Sequence, residues 1–151
     1  MKKLLLSLTI LSSLFLASCE KDPLPAKDDE IRNETNDSTN IIIKTIRKSH
    51  HSDLSGNGYN LMIQTQQELD SVWSMIDSTG FSNVPDIDFE KELALLAFMG
   101  TFVTGGYNIE ITGITLENDT YNYTIIKTTP DSGGIVTAVI TNPYHLIRFD
   151  R

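Results

Sequence analysis

The chain has 151 residues, with 12 Lys or Arg against 20 Asp or Glu and a formal net charge of −8. Such a chain is repelled by polyphosphate and by anionic headgroups, which excludes nucleic acid as a partner and electrostatic adhesion to a membrane. Its one cysteine, Cys19, excludes an internal disulfide framework.

In chain order, Met1-Lys2-Lys3 is basic, Leu4 to Leu16 is apolar apart from Ser and Thr, and the small residues Ala17 and Ser18 precede Cys19. A membrane-spanning helix needs about 20 apolar residues, so this stretch is too short to be one. The order predicts a signal peptide over 1–18 of the bacterial lipoprotein type, with the Cys19 thiol acylated as the first mature residue. An ordinary secretory signal fits Leu4 to Ala17 but leaves a lone thiol in an oxidising compartment. Two or three acyl chains anchor a protein stably where one is marginal. The expected location is the bacterial cell envelope, at the outer membrane, on its periplasmic or outer face, with the membrane touched only through the lipid. Cleavage removes Lys2 and Lys3 and no acid, taking the net charge from −8 to −10. Acylation also leaves no thiol for a metal or a nucleophilic role.

Residues 19–40 carry Pro23, Pro25, many charges and few apolar side chains. Their composition predicts a disordered acidic tether. Cys19-Glu20-Lys21-Asp22 resembles the acidic export tag of surface lipoproteins, with Pro23 standing where a second acid is expected.

Residues 41–151 form the expected folded domain. Ile41 to Arg47 and Tyr59 to Gln64 read as strands around a Ser55-Gly56-Asn57-Gly58 turn. Thr65-Gln66-Gln67-Glu68 is a capping box, and Leu69, Val72, Trp73 and Ile76 follow on one helical face, which ends near Ser78-Thr79-Gly80. Leu93 to Met99 is apolar throughout, as in a strand buried on both faces. Tyr107 to Ile111, Tyr121 to Ile125, Ile135 to Ile140 and Tyr144 to Phe149 complete about seven strands. The fold class is α+β: a mainly antiparallel β domain, a sandwich or half-open barrel, with one amphipathic helix.

Gly100-Thr101-Phe102-Val103-Thr104-Gly105-Gly106-Tyr107 is the most unusual segment. Paired glycines permit positive φ and close backbone approach, and Thr104 and Tyr107 put a hydroxyl and a ring at the rim. The same residues would also make a plain hairpin or bulge. The lysine of a phosphate-binding loop is missing.

Asp88-Phe89, the apolar run to Gly100, Thr104-Gly105-Gly106-Tyr107-Asn108-Ile109 and Pro143-Tyr144-His145-Leu146-Ile147-Arg148 together resemble the C-terminal domain of the protease complex subunit PrcB family. The resemblance covers about 41–151. It implies a lipoprotein or secreted module that binds a protein partner, such as a protease, without catalytic residues or cofactor of its own. The site it implies comprises Thr104, Gly105, Gly106 and Tyr107, with Tyr144, His145 and Arg148 as neighbours if the two motif strands pair. The Thr-Gly-Gly-Tyr stretch is also distantly similar to an inserting loop of chagasin-type inhibitors, which makes protease inhibition through Thr104 to Tyr107 the alternative.

A third reading is an envelope enzyme using His145, or a metal at His50 and His51. Adjacent strand-end residues point to opposite sides, so the histidine pair is a poor metal site. A strand histidine is more simply a satisfied structural group. Asp86 and Asp88 fit turn capping better than a catalytic pair. No Gly-x-Ser-x-Gly elbow supports a serine hydrolase.

Overall fold

The computed structural model describes residues 38–77, 79–80 and 82–151. The expected signal peptide, Cys19 and nearly all of the expected tether lie outside the described residues.

Seven strands form two antiparallel sheets. Strands β1 (Thr39–Ile41), β5 (Asn108–Glu117) and β6 (Thr120–Thr128) make one, in the order β1-β5-β6. The other contains β2 (Ile43–Ser49), β3 (Asn57–Ile63), β4 (Glu92–Gly100) and β7 (Tyr144–Asp150), in the order β2-β7-β4-β3. The helix α1 spans Gln66–Ile76. The four-stranded sheet is the middle layer, with α1 on one face and the three-stranded sheet on the other.

Strand β4 shows why its sequence lacks alternation. Ala94, Leu96 and Phe98 pack with Leu69, Val72, Trp73 and Ile76 of the helix. Leu93, Leu95 and Ala97 face Ile109, Ile111 and Ile114 of β5. Successive side chains point to opposite faces, and both faces are covered.

The expected first strand is two strands. Ile41 and Ile43 both pack into the core between the sheets. Ile42 between them is 77 % exposed, and there the chain crosses from one sheet to the other. Ordered pairing already begins at Thr39, opposite Leu116. By contrast Ile135 to Ile140, expected as a strand, belongs to neither sheet. The total of seven is kept because one expected strand divides and another is absent.

The helix starts where the capping box places it. Thr65 Oγ1 accepts from the Glu68 N–H at 3.2 Å, and the Glu68 carboxylate accepts from the Gln64 N–H at 2.8 Å, one residue before the cap. Thr65→Ala should lower the unfolding free energy by about 1 kcal/mol, read as a shifted urea midpoint at unchanged slope. At the other end Asp77 caps the helix. Its carboxylate is held far below the ordinary range by the hydroxyls of Ser82 and Thr79, with Arg47 contributing. The Arg47 guanidinium lies 3.2 Å from Asp77, donates to Ser82 Oγ at 2.7 Å and sits 5.3 Å from the centre of the Trp73 ring. One side chain of β2 thereby ties down the C-terminal end of α1.

Asp88 caps a turn, as expected. Its side chain accepts from the Glu90 N–H, and its carbonyl accepts from the N–H groups of Lys91 and Glu92, leading directly into β4.

Candidate functional site

Both later crossings between the sheets occur at one end of the domain. Strand β4 leaves the middle sheet at Gly100 and enters the outer one at Asn108. Strand β6 leaves the outer sheet at Thr128 and returns at Tyr144. The segments 101–107 and 129–143 lie against each other there. Phe102 and Thr141 exchange both backbone hydrogen bonds, each 2.9 Å. Further along, the Gly105 N–H donates to the Thr137 carbonyl at 2.9 Å, and the Thr141 hydroxyl donates to the Thr104 carbonyl at 2.8 Å.

The paired glycines serve this contact. A Cβ on Gly105 would run into the Thr137 side chain, and one on Gly106, which has φ +94°, would lie 2.9 Å from the Pro130 ring. Tyr107 stacks on Phe102 with centroids 3.7 Å apart and planes 8° from parallel. The segment is neither a free loop nor a hairpin; it is a base on which 129–141 rests.

The parts facing solvent are therefore different residues. Every residue from Asp131 to Ile140 is exposed. Ile135 is fully exposed, Ile140 63 % and Val103 78 %, with Val136 and Val139 above a third. An uncharged, β-branched run this exposed is unusual, since soluble domains keep contiguous apolar surface small unless it is used. Together these side chains form an apolar crest over Thr104 to Tyr107.

Asn142 holds the crest in place. Its side-chain amide donates to the Leu54 carbonyl at 2.8 Å and to Thr101 Oγ1 at 3.0 Å, and its backbone N–H donates to the His50 carbonyl at 2.8 Å. Asn142 thereby joins three loops. A buried asparagine has donors that must be paired, and that requirement was the available signal.

Of the sequence-predicted site residues, Thr104 and Tyr107 are half-buried, Gly105 is buried and Gly106 exposed. Tyr144 and His145 are buried at the start of β7. The motif strands β5 and β7 do not pair; they face each other across the core. The Tyr144 hydroxyl has no partner among the described residues, and burial pushes its pKa up. His145 Nδ1 accepts from the Ile111 N–H at 2.9 Å, so the neutral ring carries its proton on Nε2, 2.9 Å from Thr45 Oγ1. Nδ1 thereby ties the two sheets together, while Nε2 is engaged within the middle sheet. Arg148 is four residues further along β7, roughly 13 Å from Tyr144, and pairs with Glu92 at 3.3 Å. It lies away from the crest.

His50 and His51 are exposed, and no cluster of three His, Cys, Asp or Glu able to hold a metal occurs among the described residues. A polar cavity of about 330 Å³ lies between the end of β2 and the end of α1, where Arg47, Ser49, His51, Asp53 and Asp77 contribute to its walls. Its Arg47 and Asp77 are already paired with each other. No helix among the described residues is long and apolar enough to cross a membrane.

The architecture defines an antiparallel two-sheet domain with one covering helix, whose outstanding surface is built from inter-sheet crossings. Residues 93–150 match the family model described as PrcB C-terminal. That segment, from β4 to β7 with both crossings and the crest, is similar to the PrcB C-terminal family. No curated protein and no solved structure matches the chain.

Proposed function

We propose that this protein is a lipid-anchored module of the bacterial envelope that binds an extracytoplasmic protease through the apolar crest. The carrying observation is the crest itself, an exposed apolar run inside the PrcB C-terminal segment and fastened to the Thr104–Tyr107 base. Apolar side chains presented on a fixed base lose little freedom when a partner covers them, which favours binding over keeping them in water. The role is that of a partner and not of an enzyme. The one buried histidine is committed to structural hydrogen bonds. Acylated Cys19 would hold the module at the outer membrane, with the acidic segment 19–40 as spacer.

The test is recovery of the protease from solubilised envelope with the full-length lipidated chain as bait. Val103→Asp/Ile140→Asp should recover at least about tenfold less protease than wild type, since a charge desolvated at an apolar contact is costly. The thermal midpoint should be unchanged, because both side chains are exposed. Equal recovery by the two baits refutes the crest as the contact. Cys19→Ser should move the protein from the membrane fraction to the soluble one.

A further inference from the structure

The backbone of the crest has a free edge as well as exposed side chains. From Ile135 to Ile140 the chain joins no helix or sheet, and it makes one tight turn, a three-residue γ-turn centred on Ala138. In an extended chain the N–H and C=O of alternate residues face the same edge. The Thr137 carbonyl is taken by Gly105, the Val139 N–H folds back onto that same carbonyl at 3.0 Å, and Thr141 is paired with Phe102 on both of its backbone groups. Residues 137, 139 and 141 thus share the inner edge, lying along 102–105. The outer edge belongs to Val136, Ala138 and Ile140, whose N–H and C=O groups have no partner among the described residues.

We propose that the partner protease adds a strand to this outer edge, pairing with the backbone of Val136, Ala138 and Ile140. The inference rests on the protease-partner reading and specifies its mode of recognition. Strand addition takes its strength from main-chain hydrogen bonds and its selectivity from pockets for alternate side chains. The occupant is an extended edge of the protease flanked by apolar pockets that accept β-branched side chains. Two other coverings fit less well. Hydrocarbon would accommodate Ile135 and Ile140 but leave the outer-edge N–H and C=O groups unsatisfied. A second copy would bring two strongly acidic chains together and set one Asp131 near the other, with no basic residue between Thr128 and Tyr144 to offset them.

The period of two supplies the test. Full-length protein carrying the photocrosslinker p-benzoylphenylalanine in place of Val103 is irradiated in its native envelope, and adducts are identified by mass spectrometry. Single prolines are then introduced, since proline deletes the N–H and blocks pairing only where that N–H is used. Val136→Pro and Ala138→Pro should each reduce the protease adduct about tenfold. Ile135→Pro and Thr137→Pro, on the inner edge and without an N–H partner in the fold, should reduce it no more than about twofold. Equal loss at both sets, or loss at neither, overturns strand addition while leaving the protease as partner. Adducts only to lipid, to a second copy or to a non-protease, or no adduct at all, overturn both readings.

Discussion

Leu95→Ala and Leu96→Ala should each lower the unfolding free energy by about 2–5 kcal/mol, a large part of the stability of a domain this size. The two residues are neighbours in sequence and both are essentially inaccessible. In a sheet with one wet face, one of the pair would be nearly silent. Here Leu96 packs under Trp73 and the helix, while Leu95 packs against the outer sheet. Each truncation leaves a cavity in a different core, and the surrounding layers cannot collapse fully into it. Because the two sites lie in separate clusters, the double variant should approach the sum of the single costs. Urea denaturation of the three variants checks this, and a silent Leu95→Ala would mean that the three-stranded sheet does not cover β4.

His145→Ala should cost about 2–4 kcal/mol near neutral pH, from the orphaned Ile111 N–H together with the space left by the ring. Its distinguishing effect is on pH dependence. Strand β1 covers β5 only from Ile114 to Leu116, so the N–H of Ile111 lies beyond its reach and finds the His145 ring. Burial, and then the charge of Lys48 on β2, push the His145 pKa below its ordinary 6.5, opposed by Glu110 on β5. Lys48 and Glu110 are themselves paired at 2.9 Å beside the ring. Because the folded ring resists protonation, the unfolded chain binds more protons below pH 6.5, and stability must fall as the pH drops through that value. The contribution is fully present above it, and the loss continues down to the lowered folded-state pKa. The slope for one proton is at most about 1.4 kcal/mol per pH unit. Wild type should show this slope in urea midpoints measured across that range. His145→Ala should lose it. An identical slope in the two proteins would show that the ring is not held neutral.

The elements that could be read from sequence were those whose signal is local. The helix follows from Thr65 and Glu68 at its start and from four apolar side chains on one face, and each of those side chains is buried. The continuous apolar run of β4 carried its own meaning, because a strand without polar alternation must have both faces covered. The turn at Asp88 follows from a short acid able to bond its neighbours' N–H groups.

Two strands could not be placed in this way, for opposite reasons. Ile41 to Arg47 has the composition of one strand, but Ile41 and Ile43 reach the same core from two different sheets, and nothing local to the isoleucines specifies the crossing at Ile42. Ile135 to Ile140 has strong β propensity, yet no sheet receives it. The middle sheet is completed by β2 and β3 at its edges, and the outer sheet ends at β6. Propensity describes fitness for a pleated, half-buried surface and does not provide the neighbouring strand.

The candidate site divides along the same line. The unusual chemistry of Thr104-Gly105-Gly106-Tyr107 was evident from residue type alone, since paired glycines signal close approach by another backbone. That the approaching backbone is Thr137 to Thr141, and that Val103 and Ile135 to Ile140 therefore form the exposed surface, depends on contacts more than thirty residues apart in the chain. Sequence by itself determined the β-rich class, the capped helix, the doubly covered strand and the family resemblance, because each rests on short-range periodicity or on a motif of adjacent residues. Only the tertiary structure decided which apolar run is core and which is crest, and which face of His145 is spoken for. Burial is a property of what packs against a segment, and here those partners come from distant parts of the chain.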